Sequence, residues 1–331
     1  MLFAAVSVST LLGPTRAAAQ VAGLSGTLIV TNKTPSTVTI VDVRSGRTLA
    51  TLSTGNGPHE IVISQDGQTA VVTDYGTGSA PGSSLTVIDV ARLRVQRTID
   101  IAPYARPHGI VFLPGDSLVA VTAEASQAVV TVDVRTGIVV RAARTNKAGS
   151  HMVGVSADGG IAWTGDMGSN TVTELDMKTG EAVRSLDVPE RPEAINVTTD
   201  GSEVWVGSNS TGKISVIDGY TGAVTTAAEG FQWPYRVLFS PDAETVAIPD
   251  YRAEVVRFFA RRSRAEQGVL SFTGGGPQGI TYTPDGRHIL LSLSSEARVA
   301  VIGMPERKVL GYLSGGQTPD GVVYTPFVVR P

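Results

Sequence analysis

Pro58-His59-Glu60-Ile61-Val62-Ile63-Ser64-Gln65-Asp66-Gly67 reads as an anchor, a short apolar strand and a tight turn, and the same register returns six more times. The anchors are Pro58, Pro107, Ser150, Pro192, Pro234, Pro277 and Pro319, spaced by 49, 43, 42, 42, 43 and 42 residues. A period in the low forties with four strand-like segments per unit predicts an all-β, seven-bladed propeller with four antiparallel strands per blade. Asp-Gly at Asp66-Gly67, Asp158-Gly159, Asp200-Gly201 and Asp285-Gly286 suits the positive φ of a hairpin turn. Third strands close with Asp, a spacer and Gly, as in Asp42…Gly46, Asp133…Gly137, Asp176…Gly180 and Asp218…Gly222. After Pro319 the chain offers one strand, and before Pro58 it offers three. The two ends are therefore expected to share a blade and close the ring, which removes an open edge.

Each repeat can bury its apolar faces only against its neighbours, so residues 21–331 are read as one closed domain despite the length of 331. The formal net charge of −3 gives no electrostatic case for nucleic acid or for an anionic membrane. Cysteine is absent, which excludes disulfides, thiol catalysis and thiolate metal sites. Residues 1–20 differ from the rest. Leu2 to Leu12 is apolar, Gly13-Pro14 breaks it, and Ala17-Ala18-Ala19 precede Gln20. That pattern predicts a secretory signal peptide, with no basic n-region ahead of it, as though the true start lay upstream. The run is too short to span a bilayer as a helix. The expectation is an exported, periplasmic or secreted monomer with no membrane span in the mature chain.

At Pro58–Tyr75 and Pro277–Ser292, with Leu28-Ile29-Val30-Thr31-Asn32 near the start, the chain resembles the YVTN-repeat β-propellers and, beside them, the lactonase-like seven-bladed proteins. The resemblance spans nearly all of residues 26–326. It implies the propeller fold and a periplasmic or surface location. It also implies a range of functions: partner or ligand binding, lactone hydrolysis, metal-dependent lyase chemistry, or service as a subunit of a redox enzyme.

Chemistry is expected where the residue after each anchor rings one mouth of the channel: His59, His108, His151, Glu193, Tyr235, Gln278 and Asp320. Three of the four histidines fall in three consecutive blades there, followed by Glu193. Nitrogen and oxygen donors gathered at a pore mouth suit Zn, Mn or Cu. The same histidines can equally serve as loop caps of a repeat consensus. A second column, in the loop after each second strand, reads Lys33, Tyr75, Glu124, Asp166, Asn209, Tyr251 and Ser294, with Asp74 and Asp250 just before the tyrosines. Arg106, Arg191 and Arg236 flank the anchors and suit a carboxylate or phosphate, unless they merely neutralise acidic groups of neighbouring blades.

Two readings follow. In the first, the protein binds a small-molecule or protein ligand at the mouth through Arg106, Arg191, Arg236, Tyr235, Asp74, Glu124, Asp166 and Asp320. In the second, it is a divalent-metal-assisted hydrolase or lyase for a lactone or uronic-acid-like substrate. That enzyme would use His59, His108, His151 and Glu193 as ligands, with Glu193 also a base and Tyr75 or Tyr251 a proton donor. An accessory role in a periplasmic redox system rests on resemblance alone. Trp163 and Trp205 read as packing between blades, and the basic turn Phe259–Arg264 as solvated surface.

Overall fold

Short β-branched runs between Asp-Gly turns form 28 strands among residues 23–330, the part of the chain that the computed structural model describes. The expected leader, residues 1–20, lies outside the described residues. The strands make seven antiparallel four-stranded sheets. The innermost strands are Pro58–Ile63, Pro107–Phe112, Ser150–Val155, Pro192–Val197, Leu238–Phe239, Pro277–Tyr282 and Pro319–Thr325. The first six belong to blades 2 to 7. Pro319–Thr325 completes blade 1 by pairing with Thr27–Asn32, in the register Leu28↔Tyr324, Ile29↔Val323 and Val30↔Val322. The two chain ends thus share a blade, as expected. The glycines of both turn columns take the left-handed region, for example Gly67 at φ 71° and Gly180 at φ 82°.

The core is divided into seven apolar layers, one at each blade junction. Leu28, Val30 and Val41 of blade 1 meet Leu290, Val299 and Val301 of blade 7, and the other six junctions repeat the scheme. Trp163 and Trp205 sit in two of these layers. The basic turn of blade 6 is solvated at its tip, Arg262 and Ser263, but not at its flanks. Arg261 and Arg264 reach Glu203 of blade 5 at 3.3 and 2.7 Å, and the Arg264 guanidinium lies 4.8 Å from the centre of the Trp205 ring. Carboxylate and indole together draw these long side chains back over the junction.

Blade 6 departs from the others. Its inner strand is reduced to Leu238–Phe239 plus a bridge between Pro234 and Asp250. Tyr235 N–H donates to Pro249 O at 2.8 Å, but proline has no N–H to return. The Tyr235 carbonyl instead accepts from Arg236 Nη1 at 2.6 Å. The arginine thereby supplies the donor to that carbonyl that Pro249 lacks.

Candidate functional site

The residues that follow the anchors are held in place by the neighbouring blade. The hydroxyls of Thr31, Thr122 and Ser292 donate to the carbonyls of His59, His151 and Asp320 at 2.9, 2.6 and 2.7 Å, each crossing one junction. Inner strands also approach closely: a Cβ on Gly279 would collide with Asp320 O, and one on Gly321 with His59 O. These contacts hold the inner strands against one another at the channel wall.

On the side of blades 2 to 4, the structure brings His59, His108, His151, Tyr75 and Glu124 together. Ring centres of His59 and His108 lie 5.1 Å apart, those of His108 and His151 3.7 Å, and Tyr75 sits 4.5 Å from His59. His59 Nδ1–H donates to Gly57 O at 2.8 Å. His151 Nδ1–H donates to Glu124 Oε2 at 2.9 Å, and the Tyr75 hydroxyl donates to the same oxygen at 3.1 Å. The Gly57 carbonyl fixes the tautomer of His59, which keeps a bare Nε2, and Glu124 orients the His151 ring. His108 is 2% exposed, and its Nδ1 has no hydrogen-bond partner. Burial, with Lys33 next in weight, lowers His59 to about 4; burial and the neighbouring imidazoles put His108 well below the usual histidine range. Both rings are therefore neutral at pH 7. Arg106 stacks 4.9 Å from the Tyr75 ring centre and donates to the carbonyls of Thr77 and Gly78, pinning the inserted hairpin of blade 2.

The opposite side is ionic. Lys33 Nζ lies 2.8 Å from Asp320 Oδ2 and donates to Tyr235 Oη at 3.2 Å, while that hydroxyl donates to Asp320 Oδ1 at 3.0 Å. Burial alone would raise Asp320; Lys33 and Arg236 outweigh it and hold its carboxyl below the ordinary range. One register deeper, Arg236 pairs with Glu60 of blade 2, reaching across the ring. That deeper register reads Glu60, Gly109, Met152, Ala194, Arg236, Gly279 and Gly321. Its only two charged residues have opposite signs and meet. The column was legible in the sequence, yet Glu60 and Lys33 were not singled out there as site residues. Between the two halves, Glu193 accepts from Asn209 and from Trp233 Nε1, the latter at 3.0 Å. Tyr251 packs against Trp233 and Tyr235 at ring distances of 6.1 and 6.0 Å.

Three expected residues stand elsewhere. Asp166 pairs in register with Ser150, as Asp74 does with Pro58, so Met167 rather than Asp166 is the counterpart of Tyr75. Asp166 is buried and accepts from Ser150, Thr164, Thr171 and Thr173 of its own blade. Asp74 accepts from Ser84, Thr86 and the Gly55 N–H, and burial raises it to about 6. Arg191 lies exposed on the rim in the left-handed region at φ 58°. Arg236 is committed to Glu60 and does not join the other two arginines in a clamp. A separate cleft of about 650 Å³ between blades 4 and 5, lined by Trp163, Arg184 and Tyr220, lies at the hairpin-turn end, away from the channel histidines.

Among the described residues, no three His, Asp or Glu side chains already stand around one metal position. No helix among them is long and apolar enough to cross a membrane.

Comparison with known proteins supports the fold. No family model matches the chain, and no curated protein matches its sequence. Solved structures do. Hydrazine synthase of Kuenenia stuttgartiensis superposes with a TM-score of 0.75 at 19% identity, over 85% of this chain and 93% of that one. A functionally unknown protein from Desulfotomaculum acetoxidans gives 0.74 at 14%, over 92% and 100%. A putative 6-phosphogluconolactonase from Bacteroides fragilis gives 0.70 at 14%, over 91% and 98%. At these identities the likeness shows the seven-bladed propeller that they share, and a propeller hosts many chemistries.

Proposed function

We propose that this chain is an exported propeller of the YVTN-repeat kind that binds a small polar ligand at the channel mouth, on the half built by blades 2 to 4. The observation that carries this reading is the cluster of His59, His108 and His151 beside Tyr75 and Glu124, with a buried and unpartnered Nδ1 on His108. Buried polar atoms are rarely left without a partner, and one set among other imidazoles at a channel mouth marks a place where a ligand can complete the bonding. In the ionic half the charges pair with one another, and the buried atom left without any partner is Arg236 Nε, on a guanidinium already committed to Glu60.

The Glu124–His151 contact favours a second reading, hydrolysis or elimination on a lactone or uronic-acid-like substrate. A carboxylate that orients an imidazole at Nδ1 leaves Nε2 as a base toward water or an acidic C–H, with Tyr75 beside it as proton donor.

Thermal unfolding in the presence of glucono-δ-lactone, galacturonate oligomers and sugar phosphates tests the binding reading. A ligand-dependent rise in Tm that disappears in a Tyr75→Phe, Glu124→Gln variant supports it. A rise that survives in that variant, or none from any compound, removes it. Turnover of the lactone, lost in His151→Asn, would decide for the enzyme.

A further inference from the structure

We infer that a second ligand site, independent of the channel mouth, lies in the cleft between blades 4 and 5 and takes an uncharged saccharide. Two tryptophans occupy the same place in consecutive blades, each third in its second strand, Ile161–Asp166 and Glu203–Ser208. At the junction of blades 5 and 6 the protein satisfies the indole itself. Trp205 Nε1 donates to Glu203 Oε2 at 3.0 Å, and Arg264 lies over the ring. In blade 4 the place of Glu203 is held by Ile161, and no other group takes over its task. Trp163 is 3% exposed, and its Nε1 has no partner. Trp163 and Ile161 both form part of the wall of the cleft of about 650 Å³, a size within the roughly 300–1,000 Å³ of small-molecule sites.

The rest of the wall sets what a ligand must bring. Asp158 and Asp200 enter the cleft from the Asp-Gly turns of blades 4 and 5. Each accepts only from its own turn, Asp158 from Ser156 and Gly160, Asp200 from Thr198 and Ser202. Neither joins a salt bridge among the described residues. Those turn bonds lower both carboxyls, Asp200 to about 2, so both are anionic at neutral pH. Arg184, the one cation of the wall, is already committed. It pairs with Glu174 at 2.5 Å and donates to the carbonyls of Gly219 and Tyr220 at 2.7 and 3.3 Å. Tyr220, 74% exposed, and Val183, 56% exposed, add apolar faces.

Donors and acceptors then select the ligand. Lysine and arginine side chains carry donors for the two carboxylates but no acceptor for an indole N–H, so such a cation leaves Trp163 unsatisfied. A carboxylate or phosphate brings acceptors but meets two like charges. A hydroxyl is donor and acceptor at once. A sugar ring carries several hydroxyls around its rim and C–H faces that pack on an aromatic ring such as that of Tyr220. One class of molecule therefore meets the carboxylates, the indole and the exposed aromatic together.

The test follows the indole N–H signals of the three tryptophans in proton–nitrogen correlation spectra while the protein is titrated with maltose, cellobiose, lactose and N,N′-diacetylchitobiose. At least one sugar should bind with a Kd of about 1 mM or tighter. It should move the Trp163 signal further than those of Trp205 and Trp233, whose N–H groups already have carboxylate acceptors. Tyr220→Ala should weaken binding about 5–10-fold, and Ile161→Glu, which gives blade 4 the internal acceptor of blade 5, should abolish it. No binding by any of the four sugars, a Trp163 signal that stays in place, or binding unchanged in Tyr220→Ala overturns the inference. The signals are read on the parent, so the test stands even where a variant fails to fold. Binding of N-acetyl-arginine amide without any sugar overturns it in favour of a cationic partner. A sugar lost in Tyr75→Phe, Glu124→Gln but kept in Tyr220→Ala overturns it and leaves the channel reading standing; the reverse pattern supports it whatever becomes of the channel.

Discussion

Across the channel axis, blade 6 sends Arg236 to Glu60 and blade 1 pairs Lys33 with Asp320, whereas blades 2 and 3 bury imidazoles, His59 and His108, that carry no charge at neutral pH. Both halves occupy the same registers of the same repeat. In one half each buried charge meets its opposite, so the cost of desolvation is offset within the protein. In the other, burial is tolerated because the groups shed their protons, and their bonding capacity stays unspent. The first arrangement stiffens a ring; the second leaves donors for something else. Position in the fold is therefore a poor guide to role, and the partner of each side chain is the better one.

The sharpest way to break this comparison is to orphan one buried charge. Arg236→Met leaves Glu60 unpaired in the channel and should cost about 3–5 kcal/mol in chemical denaturation, with most of it regained in Arg236→Met, Glu60→Leu. A double variant no more stable than the single would show that the pair is not what Arg236 supplies.

Acid should separate the halves next. The folded pKa of His59 is depressed to about 4, so between about pH 6.5 and 4 the unfolded chain binds the proton and the folded one resists it. Stability from this group is present above pH 6.5 and is lost as pH falls to 4, by up to roughly 3 kcal/mol. His108 acts in the same direction; it faces His59, His151 and Tyr75, with Lys33 and Arg236 opposing its charge from across the channel. Asp74, raised to about 6, works the other way: the folded state takes its proton first, so its contribution grows as pH falls from 6 to 4. His59→Asn should flatten the acid loss and Asp74→Asn should steepen it. Denaturation midpoints at pH 7 and 4.5 read both slopes, and equal slopes in all three proteins would refute the assignment.

The smallest effect lies on the rim. The residue before the anchor is left-handed in six blades: Gly57, Arg106, Gly149, Arg191, Gly276 and Thr318. Arg106 offsets the strain by stacking on Tyr75 and holding Thr77 and Gly78. Arg191→Gly should therefore stabilise by about 1 kcal/mol in thermal or chemical unfolding. A loss of stability would mean that the Arg191 side chain makes contacts as useful as those of Arg106.

Much of the mouth was legible in the repeat. The column after the anchors places His59, His108 and His151 in adjacent blades, and the following loops place Tyr75 and Glu124 beside them. Asp166 shows the limit. Counting along the chain set it beside Tyr75, but strand register sets it beside Asp74, because pairing runs through Ser150 and not through loop position. The basic turn of blade 6 shows another: charge alone reads as solvated, whereas Glu203 and Trp205 arrive from a blade whose outer face the sequence does not reveal.

What the sequence by itself determined is the number of blades, their strand order and the ring closure, since periodicity and Asp-Gly turns are local signals that each repeat restates. Only the tertiary structure decided which channel residues satisfy one another. Glu60 and Arg236 are 176 residues apart and meet because they share a channel register and the ring brings opposite blades face to face. Such pairings depend on distances across the axis, and no local pattern in a chain encodes those.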